Sequence, residues 1–284
     1  GDSGYDEPNT SAFGYMGEYC KRYRQALPGK VLFYNLFPAG PSSKLLGAAS
    51  YGEYIDRYVR EVPTDYISVD VYPFFSFKPL RGIGLYLALK SYHTVAKACR
   101  NSGRDFWIYI QTQGNWFSLL YAMTTYEQIR WQAYAVLAYG AKCIMQVAYT
   151  PSWGDKAYAM KEPDGTMTEQ FLYAKRVNKE LNALSPVYMR YRSLGVRAIN
   201  PRKNSSGMRR ALAYQKKSSD ADGFFGLPDL CDVSAQKSAL IGYFQENNGG
   251  AGAALMVVDC ANIYSPGATQ TAQIALCMPH RVCV

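Results

Sequence analysis

Between residues 31 and 184, short apolar runs alternate four times with stretches whose apolar residues recur at helical spacing. The runs are 31–37, 66–72, 106–110 and 143–149. The intervening stretches place Tyr51, Tyr54, Ile55, Tyr58, Val59 and Val62 on one helix face, and Leu85, Leu89, Tyr92, Ala96 and Cys99 on another. Gly103 closes the second of these. Thr124 with Glu127 reads as a capping box ahead of a helix running to about Tyr139, and a further helix is expected over 168–184. An earlier helix is read over 11–27 from Phe13, Met16, Cys20, Tyr23 and Leu27, ended by Gly29. Strand and helix in strict alternation mean parallel strands joined by crossover helices, an α/β architecture that is either doubly wound or a barrel. Gly82-Ile83-Gly84 opens a helix but lacks the rest of the dinucleotide-binding fingerprint.

After about residue 190 the pattern changes. Segments 211–216, 239–245, 253–260 and 271–277 read as strands, and Asn247-Asn248-Gly249-Gly250 as a turn between two of them. The expected organisation is therefore an α/β part over 1–190 and an antiparallel β-rich module over 191–284.

Composition bounds the chemistry. The net charge is +9, but the positive residues are scattered, with local clusters at Lys21–Arg24, Arg190–Arg192 and Arg202–Arg210. A basic balance of this kind fits a solvated surface or an anionic partner. With no P-loop, zinc-finger spacing or RNA-binding signature, a nucleic-acid partner is not expected. The seven cysteines form no CxxC pair and there are two histidines, so neither a disulfide framework nor a His-rich metal site is expected, and no cofactor. No signal peptide or transmembrane run is visible, so no membrane partner is expected; the cellular location stays open. Twenty-five tyrosines suit a sugar-lined cleft, and equally suit ordinary half-buried packing.

The ends of the apolar runs carry the candidate chemistry. Asp6-Glu7-Pro8 precedes the first, Asn35 ends it, Asp70-Val71-Tyr72-Pro73 ends the second, Gln111 to Trp116 follows the third, and Tyr149 to Trp153 the fourth. Polar and aromatic groups at successive strand ends are where barrel enzymes place their chemistry. Asp6-Glu7-Pro8 resembles the acid/base motif after strand four of the clan-A glycoside hydrolases. Ile110-Gln111-Thr112 with Asn115-Trp116, and Tyr139 to Lys142 ahead of the last strand, resemble strands seven and eight of the β-galactosidase-like family 42. The resemblance covers about residues 5–190. It implies a (β/α)₈ barrel portion, strands four or five to eight, acting on a β-linked oligo- or polysaccharide. It also implies Glu7 as proton donor and Trp153 as the aromatic platform of the sugar site. Asp6, Tyr72 and Trp116 are further substrate-binding candidates, and Asn35, Gln111 and Gln113 are strand-end amides able to fix sugar hydroxyls.

One position departs from the pattern. Ile110 stands where the family has its nucleophilic glutamate. Glycoside hydrolysis needs two carboxyl groups, about 5–5.5 Å apart in retaining enzymes and about 6.5–9.5 Å in inverting ones. Asp70 is the remaining strand-end carboxylate, as a catalytic base or as a group binding a sugar hydroxyl. A non-catalytic carbohydrate-binding barrel is the alternative reading. Residues 1–4 are too few for the body of another strand, so the barrel is expected to be incomplete, with its other half supplied by the same protein or another chain.

Overall fold

The computed structural model describes residues 2–114, 120–151, 158–199, 238–250, 252–260 and 263–264. It is a mixed α/β structure, and no closed barrel forms among these residues.

The chain opens on a strand, β1 (Asp2–Asp6), which pairs in parallel with β2 (Leu32–Asn35). This corrects the expectation that the first residues cannot supply a strand. Three acidic or small polar residues and a glycine give no apolar run to read, yet the segment is held from both sides. Asp2 N–H donates to Val31 O at 3.0 Å and Tyr23 Oη donates to Asp2 Oδ2 at 2.7 Å. Gly4 is required because a Cβ there would enter the Tyr34 ring. The register slips between Ser3 and Asp6, so that Asp6 and Asn35 face each other at the strand ends.

Helix α1 (Phe13–Ala26) buries Phe13, Met16, Cys20 and Tyr23 of the face its spacing predicts, while Leu27, at its C-cap, is exposed. After β2 come the single turn α2 (Ser43–Leu46) and α3 (Tyr51–Glu61), N-capped by Ser50. Then β3 (Tyr66–Val71), α4 (Lys78–Ser102), β4 (Asp105–Gln111), α5 (Tyr126–Ala138), β5 (Ala141–Val147) and α6 (Glu169–Tyr188) follow in strict alternation. The capping box of α5 lies one residue later than expected. Thr125 accepts from Gln128 N–H at 3.3 Å, and Gln128 Oε1 accepts from Thr125 N–H at 3.1 Å. Thr124 is buried instead, its hydroxyl donating to Thr112 O at 3.3 Å.

Strands β3, β4 and β5 pair in parallel in that order, and a parallel bridge between Leu36 and Val69 links β2 to β3. The order thus runs in one direction, β1 to β5. Right-handed crossovers in a sheet that never reverses place the helices on one face. The side chains agree: Tyr34, Leu36, Ile67, Val69, Phe106, Ile108 and Ile110 share the helix-side core. The alternate residues Phe33, Trp107, Tyr109, Cys143 and Met145 are only half-buried. Three of the rings on that second face stack, Tyr66 on Trp107 at 4.0 Å and Phe33 on Tyr66 at 6.0 Å.

A second, antiparallel sheet follows: β6 (Tyr191–Ile199), β7 (Ala239–Glu246) and β8 (Ala253–Asp259), with a 3₁₀ turn Asn247–Gly249 between the last two. Strand β6 escapes sequence reading because a bulge between Ser193 and Gly195 interrupts its alternation. The proposed strands 211–216 and 271–277 lie outside the described residues. This sheet lies against α5: Val196, Leu240 and Val258 join the same core as Ile129, Ala133 and Val136. Gly242 has no room for a Cβ, which would meet the Ala138 carbonyl.

Candidate active site

Asp6, Asn35 and Asp70 end three adjacent parallel strands, β1, β2 and β3, and one amide ties them together. Asn35 Nδ2 donates to Asp6 Oδ1 at 3.1 Å and to Asp70 Oδ1 at 3.0 Å. Its Oδ1 accepts from Ser68 Oγ at 3.1 Å, which fixes which way the amide points. Asn35 therefore gathers the acids rather than offering its own donors outward.

Glu7 follows directly. It is a non-glycine residue in the left-handed region (φ 47°), a conformation that costs of order 1–3 kcal/mol and persists only when its surroundings enforce it. Those surroundings are on both sides. Glu7 N–H donates to Asn35 O at 2.9 Å. The next carbonyl, Pro8 O, accepts from the buried Tyr54 Oη at 2.8 Å. Asn9 Nδ2 reaches Leu45 O at 2.8 Å, and Thr10 Oγ1 reaches Gly47 O at 2.6 Å, pinning the loop to α2.

The acids do not share one protonation state. Burial pushes the Glu7 carboxyl up to about 8, and the charges of Asp70 and Asp6 push the same way. Asp70, 8% exposed, is raised to about 6. Burial is again the largest cause, held back by the Asn35 hydrogen bond and increased by Asp6. Near neutrality the pair thus holds one proton on Glu7 and one charge on Asp70.

Aromatic side chains wall this cluster. Tyr72 hydrogen-bonds Asp70 and lies edge-on to Tyr121 at 6.0 Å. Tyr121 stacks on Phe75 at 5.0 Å, and burial followed by the Asp70 and Glu7 charges raises its hydroxyl to about 12. Tyr109 stands opposite Asp70 in the β3–β4 register. Its hydroxyl is raised by burial first and then by Asp6.

Among solved structures, the chain is similar to two glycoside hydrolases. One is a beta-galactosidase from the psychrophilic Marinomonas ef1 (14% identity, TM-score 0.48, covering 74% of this chain and 33% of that one). The other is a proposed alpha-L-fucosidase from Bacteroides thetaiotaomicron VPI-5482 (13% identity, TM-score 0.42, covering 63% and 52%). The chain thus spans about a third of the first and about half of the second. No protein-family model matches it, and no curated protein matches it.

The other sequence candidates fall elsewhere. Gln111 is fully buried and clamps a loop: Oε1 accepts from Phe74 N–H at 2.9 Å, while Nε2 donates to Phe74 O at 3.2 Å and Ala122 O at 3.0 Å. With its amide so engaged, Gln111 shapes the wall and does not present itself to a ligand. Gln113 is fully buried, its backbone N–H bonded to Val147 O at 2.6 Å. Trp116 and Trp153 lie outside the described residues. Ile110 belongs to the helix-side core, so its side chain faces away from the acids. Sequence reading passed over Tyr109 and Tyr121. Strand parity would have found the first, since it shares a face with Trp107 and Gln111; Tyr121 sits in a loop and carries no such signal.

Proposed function

We propose that the chain is part of a (β/α)₈ glycoside hydrolase that cleaves a β-linked glycan at the strand ends carrying Glu7 and Asp70. The observation that carries this reading is the convergence of Asp6, Glu7 and Asp70 around Asn35 at the ends of adjacent parallel strands. Environments that push two carboxyl groups apart in pKa mark one as acid and the other as base. Glu7, protonated near neutrality, gives its proton to the leaving glycosidic oxygen. Asp70, ionised, either activates water or attacks the anomeric carbon directly, and the anomeric configuration of the first-formed product separates the two. Tyr72, Tyr109 and Tyr121 supply rings for apolar sugar faces and hydroxyls for sugar oxygens.

One-way winding supports the barrel part. A parallel sheet with helices on one face leaves the other half-bare, and closing the sheet on itself covers it. On this reading the remaining strands come from the same protein or from a second chain.

A second reading, a carbohydrate-binding barrel without activity, is favoured by one observation: Ile110 is committed to the helix-side core. Reducing-sugar release over a panel of β-linked glycans, paired with binding to the same panel, separates the two. Cleavage abolished by Glu7→Gln and by Asp70→Asn supports hydrolysis. Binding without cleavage supports the second reading, and neither sinks both.

A further inference from the structure

Where β4 and β5 begin, at the opposite end of the parallel strands, lies a cleft of about 800 Å³ that Asp6, Glu7 and Asp70 do not line. Its lining comes from the end of α4, the start of β4 and β5, and β6. Lys97, Arg100, Arg104, Lys142 and Arg192 line it, and among the described lining residues the one acid is Asp105. The geometry points to a binding site for a small anion bearing phosphate or sulfate groups, of up to about the size of a charged sugar.

Three features support this beyond the charge count. The cations come from separate elements, so no single helix face explains them. The carbonyl end of α4 accounts for Arg100, which counters the helix dipole, but not for Lys142 on β5 or Arg192 on β6. The cations also differ in how far the fold has used them. Arg104 is largely spent on Val59 O (2.7 Å) and Val62 O (2.9 Å) and serves the fold. Lys142 gives one of its three N–H donors to Tyr191 O at 2.7 Å and lies 4.6 Å over the Tyr188 ring, leaving donors for a ligand. Arg192 spends Nη2 on Gln245 Oε1 at 2.8 Å, an uncharged partner. Finally, burial lowers the Lys142 ammonium pKa. The Asp105 charge works against that lowering without cancelling it, and a cation held partly out of water gains from a bound anion. Cleft volumes of this order are those of small-molecule sites.

The test is calorimetric titration of the full chain with sodium pyrophosphate, glucose 6-phosphate, glucose 6-sulfate and glucose. The charged probes are expected to bind one-to-one and to weaken as salt rises from about 0.05 to about 0.5 M, while glucose is not expected to bind at this cleft. Comparing the two charged sugars tells phosphate from sulfate. Arg100→Gln with Arg192→Gln should weaken the charged probes roughly tenfold or more. Asp70→Asn, at the other pole, should leave their affinity unchanged, which separates this site from the glycan site. If the double variant does not fold, Lys97→Gln alone should still weaken binding. Lack of saturable binding overturns the proposal. So does affinity unchanged in the cleft variants, or affinity lost in Asp70→Asn.

Discussion

Glu7 combines a left-handed backbone, partial burial and two neighbouring acids, and each effect has a measurable consequence. With Asp70 required ionised and Glu7 protonated, the pH profile of kcat/KM on an unactivated glycan should be bell-shaped. It should rise through about 6 and fall through about 8. Glu7→Gln should cost about 10²–10⁴-fold on such a substrate and much less on one with an activated leaving group. Stability follows the same groups with a definite sign. A carboxyl raised in the folded state keeps a proton that the unfolded chain releases. Its contribution is therefore full below the unfolded value, 4.5 for glutamate, and is lost as pH rises through about 8. The Tm of the chain should fall across that window more steeply than the Tm of Glu7→Gln, which thermal melts at stepped pH would show. A steeper fall in Glu7→Gln would mean that Glu7 is not the group responsible.

At the scale of elements, the end of β4 depends on a residue of the helix that packs beside it. Gln132 of α5, fully buried, accepts from Gln111 N–H at 2.8 Å and donates to Gln111 O at 2.8 Å. Gln132→Leu would leave both backbone groups buried and unpaired, at about 1–3 kcal/mol each. A lowered denaturation midpoint is expected, and an unchanged one would show that these groups find other partners. The elements differ in how legible they were. Strands β2 to β5 were readable as short apolar runs, β3 being buried along its whole length, and helices α1, α3, α4, α5 and α6 because their apolar residues recur at helical spacing. Strand β1 was not, because its pairing is fixed by Tyr23, Val31 and the Gly4–Tyr34 contact, none of which appears as a local pattern. The α5 cap was misread by one residue because Thr124 and Thr125 are equivalent locally, and only tertiary bonds to Thr112 and Gln170 assign Thr124 to the core. Of the site, Glu7 and Asp70 were visible as strand-end carboxylates. Asn35's part in joining Asp6 to Asp70 depends on three strands coming together, which no single segment encodes.

For the whole molecule, the decisive feature is that five parallel strands wind one way and, among the described residues, leave one face half-covered. Phe33, Trp107 and Met145 lie half-buried on that face, so part of their apolar surface is still open to be covered. The chain by itself should bind a hydrophobic dye there, and Phe33→Gln with Met145→Gln should reduce that binding without unfolding it; unchanged fluorescence would place the dye elsewhere. The same winding sets the acids at one end of the sheet, and the account rests on their divided protonation. Carbon-detected NMR titration of the ¹³C-labelled full chain, with Glu7→Gln and Asp70→Asn used to assign the carboxyl signals, tests it directly. The prediction is one carboxyl titrating near 8 and one near 6, with Glu7 still protonated at neutral pH. Both signals titrating in the ordinary range of about 4 would contradict it.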